Sequence, residues 1–213
     1  MTLDGKEVLE TMPDFADEPE LQGARTMVLP ELNLTRKVGF VIGQKPVHVL
    51  RHRYALKGQA ILDFEKFFND RRGVWQDFLV PSWHSELGNG ETNPNPSASG
   101  QPFLNVDWCD YPANYGPADG RLGRYVFLLW DDGTFFAAKV LAVISNAGVT
   151  DELELSANLP KAVNPDDSTV IGFLYHCRFA SDELEFEYAG TNNARTEMAY
   201  LEHVISTPEA DVT

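Results

Sequence analysis

Along residues 60–73 the apolar positions Ala60, Ile61, Phe64, Phe67 and Phe68 recur at the spacing of one helix face, while Asp63, Glu65, Lys66, Asn69 and Asp70 fall on the other. Arg71 and Arg72 follow where cations suit the negative end of a helix dipole, and Gly73 offers a left-handed residue to end the helix. The run 74–80 is rich in branched and aromatic residues and closes at Pro81, which predicts a strand leaving its sheet. This is the one clear helix in the chain.

The remaining pattern is β-like. Short apolar runs occupy 26–29, 38–42 and 47–56; in the last, Arg51 and Arg53 alternate with His52 and Tyr54, as in a strand with one wet face. Residues 103–109 set Phe103, Asn105 and Asp107 against Leu104, Val106 and Trp108. Runs at 124–130 and 134–144 flank Asp132 and Gly133, a strong hairpin signal. A turn over 145–148 leads to a half-exposed strand at 152–155. Residues 170–179 and 183–188 predict a hairpin across 180–182, and 195–205 a closing strand. Strands at this spacing with one helix predict a mainly β fold, an antiparallel β-sandwich or barrel with one packed α-helix and long loops.

Charge divides the chain further. Residues 1–20 hold Asp4, Glu7, Glu10, Asp14, Asp17, Glu18 and Glu20 against Lys6 alone, which predicts an acidic N-terminal arm that is mobile or lies on a neighbouring subunit. Residues 21–205 then read as a single β-rich domain with a loop insertion at 86–120, and 206–213 as a C-terminal tail. Within the insertion, 88–102 is a long loop rich in Gly, Asn, Pro and Ser. A chain of 213 residues that is 43% hydrophobic has ample material for a core. No run approaches the ~18 apolar residues of a membrane span, and the opening residues are acidic, so neither an anchor nor a secretory signal is expected. Thirty-two acids against seventeen bases give a net charge of −15, which argues against binding a phosphate backbone.

Candidate chemistry is sparse. Ser82, His84 and Ser85 are close in sequence but lack a nucleophile-elbow frame, and they read as loop residues after a strand. His48, His52, His176, His203, Cys109 and Cys177 lack the local spacings that gather metal ligands, so no metal and no cofactor is expected, and both cysteines read as reduced. Asp131 and Asp132 suit a turn, and Asp166 and Asp167 a loop after Pro165. No catalytic residue is assigned. Of the aromatics, Trp75 and Trp130 lie inside apolar runs and read as core. Trp83 and Trp108, beside the long loop, read as surface residues, either stacking sugars together with Tyr111 and Tyr115 or serving as anchors at a subunit interface.

The segment 60–87, with its aromatic helix, "RRG" stop and "FLVPSW" strand, resembles the N-terminal half of minor tail proteins of long-tailed bacteriophages, the distal-tail and tail-tip group. A second block, FLYHCRFASDELEFEY at 173–188, is similar to the hairpin near the end of that family, with Arg178, Phe179, Asp182 and Leu184 filling its pattern. The resemblance covers about half of the chain. It implies a tail-tube-like β-sandwich with a helix packed on its outside, and a structural virion protein rather than an enzyme. It further implies a homo-oligomeric ring, hexameric ahead of trimeric, that links the tail tube to the receptor-binding and hub apparatus near the tape-measure protein. Such a protein is made in the host cytoplasm and resides in the virion. The chain lacks the cysteine cluster that the Fe–S site of some tail-tip proteins requires. In a ring, Arg71, Arg72, Trp83 and Trp108 are the expected interface residues, and an acidic lumen would repel passing DNA. The alternative expectation is a carbohydrate-binding β-sandwich module.

Overall fold

The computed structural model describes residues 1–16, 19–28, 40–87, 97–115, 124–146, 149–164 and 169–202. In chain order its elements are β1 (Thr2–Leu3), β2 (Lys6–Glu7), β3 (Glu20–Val28), β4 (Phe40–Lys57), α1 (Gln59–Asp70), a 3-10 turn (Gly73–Trp75), β5 (Phe78–Pro81), β6 (Phe103–Asp107), α2 (Tyr111–Asn114), β7 (Tyr125–Leu129), β8 (Phe135–Asn146), β9 (Thr150–Leu155), β10 (Val170–Phe179), β11 (Glu187–Tyr188) and β12 (Asn193–Glu202). The fold is mainly β, its paired strands are antiparallel, and they do not close into a barrel. The described residues divide into two compact units, 1–13 with 77–177, and 14–76 with 178–202, where the sequence pattern suggested one domain over 21–205.

In the first unit the Asp-Gly signal forms its hairpin. Gly133 takes φ 80°, its N–H donates to the Trp130 carbonyl at 2.8 Å, and β7 pairs with β8 from Tyr125↔Lys139 to Leu129↔Phe135. Strand β8 continues onto β9, and β9 onto β6. Strand β10 takes the expected bounds and is buried along most of its length. Residues 170–173 face β7, and residues 174–177 face β5. Leu174, Leu79, Trp83, Phe127 and Ala137 meet in one apolar cluster.

The N-terminal segment belongs to this unit. Val8 bridges Leu79, the Leu9 N–H donates to the Leu79 carbonyl at 2.9 Å, and both side chains are buried. Asp4 accepts from the Tyr125 hydroxyl at 2.7 Å and pairs with Lys139 at 2.8 Å. An arm without contacts to its own core is therefore not what residues 1–13 form. Two apolar side chains suffice here because β5 offers an edge to pair with.

In the second unit β4 pairs β3 on one side and β12 on the other. Its expected alternation holds: Arg51 and Arg53 are exposed while His52 and Tyr54 are buried. Helix α1 packs through Ile61, Phe64 and Phe68, a narrower stripe than the periodicity suggested, since Ala60 is exposed and Phe67 half-buried. The ring of Phe64 lies 4.8 Å from that of Tyr54, and Phe68 lies 4.8 Å from Phe179, which in turn meets Tyr200 at 5.5 Å.

Three expected strands differ. Of 74–80 only Phe78 onward is strand, because residues 73–75 form a 3-10 turn. Of 183–188 only Glu187–Tyr188 pairs, and with β12 rather than with β10. The closing strand β12 is described to Glu202, so 203–205 and the tail 206–213 lie outside the described residues. So do 88–96 of the long loop and 116–120 of the insertion. The insertion's described part, 97–115, joins the first unit through β6 and through paired hydrogen bonds between Ser97 and Val163.

Truncating Phe64 or Phe68 to Ala should cost about 3 to 5 kcal/mol, since each leaves an aromatic-sized void. The half-buried Phe67 should cost clearly less. Urea unfolding of the three variants checks the order, and equal losses would show that the buried stripe is drawn wrongly.

Candidate binding cleft and interface residues

The end of α1 is built by three residues in succession. The Arg71 N–H still donates to the Phe67 carbonyl at 3.2 Å, and then Arg72 and Gly73 both enter the left-handed region, at φ 51° and φ 57°. The helix therefore stops one residue earlier than the Gly73 signal implied, and neither arginine lies in its last turn. What holds this turn comes from far along the chain. Asp182 Oδ1 accepts the Val74 N–H at 2.9 Å and sits where a side chain on residue 73 would begin; a Cβ there would overlap the carboxylate and lie 3.0 Å from the Asp182 Cα. Glycine is required at 73 twice over, by its φ and by this contact.

The turn shapes a shallow, open cleft of about 770 Å³. Phe68 and Gly73 form its floor, and Asn69, Arg72, Trp75, Gln76 and Asp182 its walls. Trp75 is 79% exposed. Arg71 turns away: its guanidinium lies 5.2 Å over the Phe67 ring, and Nη1 donates to Gln76 Oε1 at 3.4 Å. Partial burial lowers its pKa from the usual value.

The structure sorts the expected surface residues unevenly. Arg72 is exposed and Arg71 half-buried. Trp108 is 47% exposed, as expected beside the loop. Trp83 is only 4% exposed, its ring 5.5 Å from Phe127 and 5.8 Å from Phe135, so it packs the core of the first unit and offers nothing to a neighbouring subunit. Tyr111 is likewise buried, and it and Tyr115 stack against Phe173. Trp130 is buried as expected and donates Nε1–H to the Ala162 carbonyl at 3.1 Å. Trp75, which its apolar run would place in the core, is instead exposed.

No nucleophile is assembled at 82–85. Ser82 is 1% exposed, and its hydroxyl donates to Glu86 Oε2 at 2.7 Å and accepts the His84 backbone N–H at 3.3 Å. Glu86 also accepts the Phe173 N–H at 2.7 Å and the Tyr175 hydroxyl at 3.2 Å. Burial raises its pKa above the ordinary carboxylate value, against the pull of those three donors. His48 pairs with Glu202 at 2.7 Å, and His52 meets the Tyr54 hydroxyl at 3.2 Å. Among the described residues no three His, Cys, Asp or Glu side chains are grouped to hold a metal ion; His203 lies outside them. Cys109 and Cys177 are not joined in a disulfide, and burial beside Asp151 pushes the Cys109 pKa up to about 12. Asp132 serves its turn, accepting the Thr134 N–H at 3.0 Å, and Asp166 and Asp167 lie outside the described residues. No protein-family model matches this chain, and no curated protein matches it.

Two measurements check this account. Gly73→Ala should destabilise the protein by more than about 1 kcal/mol, because the backbone conformation and Asp182 both oppose a side chain; a neutral result would remove the Asp182 contact from the argument. For Glu86 the folded pKa lies above the unfolded one, so the folded state binds more protons between the two values. Its contribution to stability therefore falls as pH rises from the ordinary carboxylate range through the raised folded pKa. Glu86→Gln should flatten that part of the curve in urea midpoints taken from about pH 4 to 8. Asp4, held below its usual pKa chiefly by Lys139, has the opposite sign, and its contribution fades only as pH falls through its lowered value.

Proposed function

We propose that this chain is a structural protein of a tailed-phage virion, a distal-tail or tail-tip component that assembles as a homo-oligomeric ring between the tail tube and the receptor-binding hub. One observation carries the reading. The two sequence blocks that resemble minor tail proteins fold together: Phe179 of the second packs on Phe67 and Phe68 of the first, and Asp182 of the second holds the RRG turn of the first. A motif pair separated by about a hundred residues that builds one local structure is more telling than either motif alone. The mainly antiparallel β-fold is of the kind the family implies, and Ser82, Glu86, His48 and Glu202 take part in hydrogen bonds within the fold. We infer no catalytic activity, metal or cofactor.

With Trp83 buried, Trp108 is the interface anchor that keeps its exposure. Its apolar area, flanked by Asp107 and Asp110, suits a contact whose centre is dry and whose rim is charged. Light scattering and electron microscopy of the full chain should show closed rings, sixfold ahead of threefold. Trp108→Ala should weaken assembly at least tenfold without loss of fold. Because every copy carries −15, rings should also loosen at very low salt, where screening fails. A protein that stays monomeric at all salt and protein concentrations overturns the ring, and tight, salt-sensitive DNA binding overturns the reading of its charge.

A further inference from the structure

From the cleft at the end of α1 we infer a binding site for a neutral pyranose oligosaccharide, with Trp75 as its stacking platform. A tryptophan that is 79% exposed on a folded domain leaves a large apolar face in water. The groups around it are those that bind sugar hydroxyls. Asn69 offers an amide, Asp182 a carboxylate and Arg72 a fork of N–H donors, all exposed, and a sugar ring carries hydroxyls that both donate and accept. The C–H face of a pyranose covers the indole while its edge meets these polar groups. A volume of about 770 Å³ accommodates one or two such rings.

The backbone under the platform is also held in place. The two left-handed residues before it and the 2.9 Å bond from the Val74 N–H to Asp182 fix the backbone that presents Trp75, so little ordering remains when a ligand arrives. Charge selects the class of ligand. Arg72 and Asp182 cancel at the cleft, and the chain as a whole carries −15, so an uncharged saccharide is favoured over an anionic one. This site does not depend on ring assembly, since every residue of the cleft comes from one chain and one unit.

Saturation-transfer NMR of the full chain with maltohexaose, cellohexaose and chitohexaose tests the assignment, because it reads the sugar protons whether or not a tryptophan is present. At least one of the three should receive saturation, with a dissociation constant on the order of 1 mM. Trp75→Ala, whose fold is checked by circular dichroism, should abolish the effect; Asn69→Ala should weaken binding at least threefold, and Trp75→Phe should retain part of it. Trigalacturonate, an anionic counterpart, should bind more weakly than the best neutral oligomer. No transfer to any of the three neutral sugars at ~10 mM, ten times the expected constant, overturns the site. So does transfer that survives Trp75→Ala, or anionic binding that equals or exceeds the neutral.

Discussion

Strand β10 has no room for a side chain at residue 172, and the first unit is arranged around that limit. A Cβ on Gly172 would lie 2.7 Å from the Phe127 ring and 2.8 Å from Glu86 Oε2, and it would collide with the His84 carbonyl. The absence of a side chain lets the backbone of 82–87 close onto β10, where the Ser82 and Leu87 N–H groups donate to the Phe173 and Ile171 carbonyls. It also brings a carboxylate into the interior. Burying an ionised group without partners costs several kcal/mol, but Glu86 receives three donors that offset its desolvation, and two of them, the Phe173 N–H and the Tyr175 hydroxyl, tie the segment to β10. The same closure fixes β5, a strand of only four residues. It is stable because β10 takes one edge and the N-terminal segment, through Val8 and Leu9, takes the other.

The legible parts of this fold are those where pattern and partner agree locally. The β4 alternation, the Asp-Gly hairpin and the bounds of β10 follow from side-chain period and turn chemistry within a few residues, and the structure keeps all three. Residues 74–76 show the opposite case. Val74 and Trp75 have every local feature of a strand, yet their backbone is bent by a hydrogen bond to Asp182, 108 positions away in the chain. Trp83 fails for a related reason: it lies two residues after Pro81 and adjoins a polar loop, but a left-handed backbone at φ 60° turns its ring back onto Phe127. The cleft was half visible. Arg72 stood out by its place in the RRG stop, whereas Asp182 appeared only as part of a motif. Parity offers no hint for Trp75, since in an extended run it shares a side with the polar Asp77 and also with Leu79, which is fully buried.

How the bases are used limits what this surface can bind. Lys6 lies 3.8 Å from Asp77, Arg53 2.9 Å from Glu197, Lys66 2.8 Å from Asp70 and Lys139 2.8 Å from Asp4, and Lys161 binds Asp132. Exposed pairs of this kind contribute little to stability, because water and salt screen them. Exchanging one for a new pair across an interface would return little more than it removed. With 32 acids against 17 bases, the long-range force between two copies, or between this chain and any polyanion, is repulsive until salt screens it. Cohesion under those terms has to come from contacts that carry no net charge. An exposed indole can supply such a contact, as in the assembly proposed through Trp108 and the sugar site proposed at Trp75. A phosphate backbone lacks that option: its affinity comes from cations displacing counterions, and in this chain many of those cations already hold a carboxylate.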